Sequence, residues 1–110
     1  MRKLKIQIKD NDYTLEMNRE SIKWLEANGF VASEFDKKPV TYYDLVWHSL
    51  FLKNHPSVNK SLAEKLMDSY SEEGKNVSLV LEFALEEYSN FINALADTKS
   101  KKKEKLEIVE

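Results

Sequence analysis

The chain has 110 residues, 42% hydrophobic and 33% charged, with two glycines, two prolines and no cysteine. This is the length of one domain and the composition of a helix-rich globular one, which excludes a second core, a disordered chain, a disulfide framework, thiolate metal sites and a cysteine nucleophile. The net charge of −2 hides an asymmetry: residues 99–105 hold five lysines and one glutamate, and the rest has 12 basic against 18 acidic residues, a net −6 that argues against a nucleic-acid surface on the folded part.

Residues 4–17 predict a β-hairpin. Leu4, Ile6 and Ile8 alternate with polar neighbours, as do Tyr13, Leu15 and Met17, the period-two pattern of strands with one buried face. Asp10-Asn11-Asp12 suits a tight turn. With Asp10-Asn11 as the loop, Ile8 faces Tyr13, Ile6 faces Leu15 and Leu4 faces Met17. Two strands are marginal in water, so this face must rest on helices.

A first helix is expected after Asn18, whose side chain can cap it, with Met17 and Ile22 as a hydrophobic staple. Asn28-Gly29 stops it. Ile22 and Leu25 form its inner stripe, and Trp24 falls off that stripe. Residues 30–40 are irregular, with Glu34 to Pro39 reading as loop. Thr41 is expected to cap a second helix, with Asp44 at the capping-box position, running to about Asn54 before His55-Pro56 ends it. Tyr42, Tyr43, Leu45, Val46, Trp47, Leu50, Phe51 and Leu52 cover most of its circumference, so it lies centrally or between two chains.

Asn59 is expected to cap a third helix, stapled by Val58 and Ala63, with a stripe of Leu62, Leu66, Met67 and Tyr70 and a stop at Gly74. A fourth runs from about Val77 to Asp97. Its inner face is Val77, Val80, Leu81, Ala84, Leu85, Tyr88, Phe91, Ile92 and Leu95, with Glu82, Glu86, Ser89, Asn90 and Asn93 opposite. These elements predict an α+β domain over residues 1–97, an N-terminal two-stranded antiparallel β-hairpin packed on a bundle of about four helices, followed by a charged tail over 98–110. No apolar run approaches the ~20 residues of a membrane span, and the basic start leads into alternation, not a signal peptide. A cytoplasmic protein is expected.

Catalytic chemistry finds little footing. His48 lies four residues from Asp44, a spacing open to a general base or part of a metal site, but no third ligand or nucleophile is placed with them, and a plain half-buried pair is the favoured reading. His55 is a turn residue at a helix end. Glu72-Glu73 and Glu86-Glu87 fall on solvated faces, without the apolar pocket that would split their pKa values. Two glycines make no phosphate loop, and no serine sits in a nucleophile elbow. The expectation is a non-enzymatic protein with no cofactor and no metal. Lys101-Lys102-Lys103 lack interleaved aromatics and read as a solvated tail, whose nucleic-acid contacts would be non-specific.

Twelve aromatic residues are the most suggestive feature. Trp24, Phe30, Phe35, Tyr43, Trp47 and Phe51 crowd the first half. Two readings stay open: all are core, or some line a groove or subunit interface, where Trp and Tyr anchor partners. These six are the candidate protein-binding residues.

The order of elements carries a resemblance. Lys3-Leu4-Lys5-Ile6-Gln7-Ile8 and Tyr13-Thr14-Leu15-Glu16-Met17 form the hairpin, and a capped helix ends in Leu25-Glu26-Ala27-Asn28-Gly29. Leu45-Val46-Trp47-His48-Ser49-Leu50 and His55-Pro56-Ser57-Val58 follow. Over residues 3–73 this resembles the small tail assembly chaperones of long-tailed phages, prophages and gene-transfer particles. The resemblance implies binding to the tape measure protein, self-association and, in some members, a longer frameshifted product. It implies no catalytic residues. Two other classes remain: a structural or connector-type virion protein, and a small regulator acting through the basic tail.

Overall fold

Alternation and a tight turn at the start of the chain produce the hairpin, as the computed structural model, which describes residues 2–96, shows. The expected tail over 98–110 lies outside the described residues. Strands β1 (Lys3–Ile8) and β2 (Asn11–Glu16) pair antiparallel, with Ile8 opposite Asn11, Ile6 opposite Tyr13 and Leu4 opposite Leu15. The turn is therefore Lys9-Asp10, one residue earlier than expected. Both residues take left-handed backbone, φ +47° and +68°, the geometry whose twist matches a two-residue hairpin. Asp-Asn has the better local propensity, but tertiary bonds hold Lys9 in place. Its N–H donates to Glu73 Oε2 at 2.9 Å, and Lys75 Nζ donates to the Gln7 carbonyl. The pairing moves by two residues, so the buried face survives the shift: Ile6, Ile8, Leu15 and Met17 are buried, and Leu4 and Tyr13 half-buried.

Helix α1 (Arg19–Ala27) starts and stops by local chemistry. Asn18 Oδ1 accepts from the Ser21 N–H at 2.9 Å, and Ser21 Oγ accepts from the Asn18 N–H at 3.3 Å, a reciprocal cap. At the other end Gly29 has φ +87°, its N–H donates to the Glu26 carbonyl and the Phe30 N–H donates to the Leu25 carbonyl. That Schellman pattern satisfies the last free carbonyls and folds Phe30 back against Leu25.

Residues Ala32–Lys37, overlapping the expected Glu34–Pro39 loop, form a 3₁₀ segment, and helix α2 (Pro39–Ser49) begins at Pro39, two residues before the expected Thr41 cap. Proline suits a first turn, where its missing N–H has no partner to lose. Thr41 is thus inside the helix and exposed. The α-helix also stops at Ser49 and not near Asn54. Beyond it the chain tightens into short bonds, Leu50 N–H to the Trp47 carbonyl at 3.2 Å and Phe51 N–H to the His48 carbonyl at 3.0 Å. The reason lies in the hairpin. The Leu50 carbonyl accepts from the Glu16 N–H at 3.1 Å, His55 Nε2 accepts from the Thr14 N–H at 3.0 Å, and Asn54 Nδ2 donates to the Thr14 carbonyl at 3.3 Å. The 50–55 turn occupies the outer edge of β2, whose groups would otherwise need water.

Helix α3 (Lys60–Glu72) is capped by Asn59, whose Oδ1 accepts from the Leu62 N–H at 2.8 Å, and Gly74 follows it with φ +79°. Its inner line is Ala63, Leu66, Met67 and Tyr70, so Leu62, expected in the stripe, stands to one side and is 41% exposed. Helix α4 (Val77–Ala96) buries Val80, Leu81 and Ala84. Residues 92–96 are all exposed, Ile92 and Leu95 included, because the last packed side chain is Phe91, under the Arg19 guanidinium. The expected surface carboxylate Glu87 is instead buried, held by Arg2.

The fold is α+β, with α2 at its centre packed on α1, α3 and α4. Val46, Trp47, Leu50 and Phe51 are fully enclosed, and Trp47 Nε1 donates to the Ala63 carbonyl at 2.9 Å. Among the described residues no buried side-chain polar atom lacks a hydrogen-bond partner, and no helix is long and apolar enough to cross a membrane.

Candidate functional site

The six candidate aromatics divide into core and surface. Phe30, Trp47 and Phe51 are buried in the core. Phe30 follows the Gly29 turn into an aromatic cluster, edge-on to Tyr42 at 5.1 Å and Tyr88 at 5.5 Å. Phe51 meets Trp47 at 5.4 Å and Tyr13 at 5.6 Å, under the hairpin. Their rings pack almost wholly inside the domain.

Trp24, Phe35 and Tyr43 stay partly in solvent and lie on two different features. Phe35 and Tyr43, 5.1 Å apart, line a shallow groove of about 210 Å³ with Ser78, Leu81, Glu82 and Leu85 of α4. Tyr43 is 41% exposed, and Val40, one turn before it on α2, is 70% exposed. The off-stripe position of Trp24 takes it to a second cleft, of about 270 Å³, between α1, α2 and the start of α3. Asn28, Thr41, Asp44, Leu45, His48, Lys60 and Glu64 complete its lining.

His48 and Asp44 both reach this second cleft but are not a bonded pair. His48 Nε2 donates to the Val58 carbonyl at 2.9 Å, and its ring stands edge-on to Trp24 at 4.9 Å. The Asp44 side chain has no hydrogen bond or ion pair among the described residues. Burial raises its carboxyl above the ordinary value, and the like charges of Glu64 and Asp68 raise it further against the pull of Lys60. Among the described residues no three His, Asp or Glu side chains are grouped to hold a metal ion. What the cleft offers is an aromatic wall beside two carboxylates, a setting for a cation with an apolar stem.

Sequence reasoning found Trp24 and Asp44 but not that they share a cleft with Glu64. The signal was faint: Trp24 off the α1 stripe, Asp44 four residues from His48 on α2, and Glu64 one position from the buried Ala63. Only the crossing of three helices joins them. Glu87 was missed for a similar reason, since its partner Arg2 is 85 residues away.

No curated protein and no solved structure matches the chain. A family model described as "Domain of unknown function (DUF5055)" matches residues 1–109, and the chain therefore belongs to the DUF5055 family.

Proposed function

We propose that this protein is a non-enzymatic tail assembly chaperone that binds amphipathic helical segments of a tape measure protein in the bacterial cytoplasm, and associates with itself while doing so. One observation carries the reading: after the core is complete, apolar and aromatic side chains remain on the helical faces. Tyr43 lines the α2–α4 groove, Val40 is exposed one turn before it, and Leu79 and Leu95 on α4 are each 61% exposed. Such faces suit a helix laid into a groove, with anchors at one-turn spacing. The resemblance over residues 3–73 supplies the identity of the client, whose long apolar helices need shielding before a tube closes around them.

The test is co-expression with a tape measure protein. A complex that co-purifies and keeps the tape measure protein soluble supports the reading, and absence of both defeats it. Mass spectrometry of mature particles separates a chaperone, which leaves, from a virion component, which stays. The residues to vary are Phe35, Tyr43 and Trp24, since Phe30, Trp47 and Phe51 serve the core.

A further inference from the structure

We infer that the Trp24 cleft receives a lysine or arginine side chain presented by a bound polypeptide. Its volume of about 270 Å³ admits one long side chain and not a helix. The walls match such a side chain along its length. Trp24 and Leu45 offer apolar surface to the methylene stem, and Asp44 and Glu64 offer charge to its tip. A cation against an indole also gains from the negative ring face.

Lys60 is the cleft's own cation, and its charge offsets the two carboxylates only in part. Lys60 lines the cleft but makes no ion pair with Asp44 or Glu64 among the described residues. His48 has its Nε2 committed to Val58. Asp44 is half-buried and, despite the pull of Lys60, repelled by its neighbours Glu64 and Asp68, a cost that an incoming cation relieves. Two carboxylates disfavour an anion, and the acidic balance of the chain outside residues 99–105 favours a basic partner over long range. That the ligand is a polypeptide rests on the binding role proposed above; the preference for a cation rests on the cleft.

The experiment uses the full chain, labelled for NMR, and a blocked pentapeptide of alanines with one central lysine. Shift changes centred on the Trp24 indole, Asp44 and Glu64 are expected, repeated with arginine and lost with norleucine. The double variant Asp44→Asn, Glu64→Gln, which only neutralises charge, weakens binding about tenfold or more. Equal binding of the norleucine peptide, no shift at the cleft, or indifference to the double variant would overturn the inference. A full chain with Lys99, Lys101, Lys102, Lys103 and Lys105 changed to Gln checks one rival occupant. If that change alone moves the cleft resonances, this chain's own tail fills the site and the assignment to a partner is overturned. The chaperone reading fails separately: a lysine peptide that binds the cleft without any tape measure complex leaves this inference standing, and a complex insensitive to the double variant does the reverse.

Discussion

Arg2 and Glu87 join the first strand to the longest helix through both backbone and side chain. The Arg2 N–H donates to Glu87 Oε1 at 2.9 Å and its Nε donates to Oε2 at 2.8 Å, while the Glu87 side chain is only 4% exposed. Glu86 takes the far end of the same guanidinium, which also lies 5.4 Å from the Phe83 ring.

This clamp makes stability depend on acid. Burial alone would raise the Glu87 carboxyl, but the bonds from the Arg2 backbone and side chain, and its charge, outweigh it and hold the group below its ordinary 4.5. The unfolded chain then binds that proton more tightly than the folded one. The contribution is full above 4.5 and fades as pH falls through the lower folded value. Glu87→Gln should melt several degrees lower than the parent at neutral pH, with the gap closing in acid. Thermal melts across pH 2–7 (about that span) check it, and a gap that persists in acid would assign the loss to packing instead.

Asp44 should behave with the opposite sign. Its carboxyl is raised by burial and by Glu64 and Asp68, so the folded chain binds the proton more tightly. The stability linked to that proton is present below the ordinary 3.8 and is lost as pH rises through the folded value. Asp44→Asn is therefore expected to raise the melting temperature at neutral pH, with the advantage vanishing in acid. A variant that melts lower at pH 7 would mean that the carboxylate has a partner in solution.

The two tryptophans should separate cleanly. Trp47 is fully enclosed and bonded to the Ala63 carbonyl, so Trp47→Ala should cost about 3–5 kcal/mol, enough to unfold much of a small domain. Trp24→Ala, at a half-buried cleft wall, should cost about 1 kcal/mol. Urea melts measure both. Similar losses would show that the cleft is closed in solution.

Gly29 tests the backbone alone. A Cβ there meets nothing within 4 Å, so any cost of Gly29→Ala comes from its φ of +87°. The expected loss is about 1–2 kcal/mol, with Gly29→Asn recovering part of it. Loss of stability well beyond that range would point to a packing role that the open surroundings do not reveal.

What the sequence made legible was chemistry within a few residues. Asn18, Asn59, Gly29 and Gly74 act on their own turns, so the starts of α1 and α3 and their stops follow from spacing. The family of period-two residues in the hairpin likewise kept its face. The turn itself moved because Glu73, far along the chain, holds Lys9. Helix α2 stopped early because the hairpin edge draws on Leu50 and His55. Of the candidate site, Trp24 was legible as an aromatic off its helix stripe and Phe35 and Tyr43 as aromatics, while the meeting of Glu64 with Trp24 was not, since helix crossings are set by the whole core.

The covering of β2 by the 50–55 turn also limits how copies of this chain join. A ladder of strands that grows without end needs two free margins on every unit, and here one is already sealed by Leu50, Asn54 and His55. Stacking through the hairpin would stop at a pair at most, so a ring or larger particle would need contacts outside the hairpin.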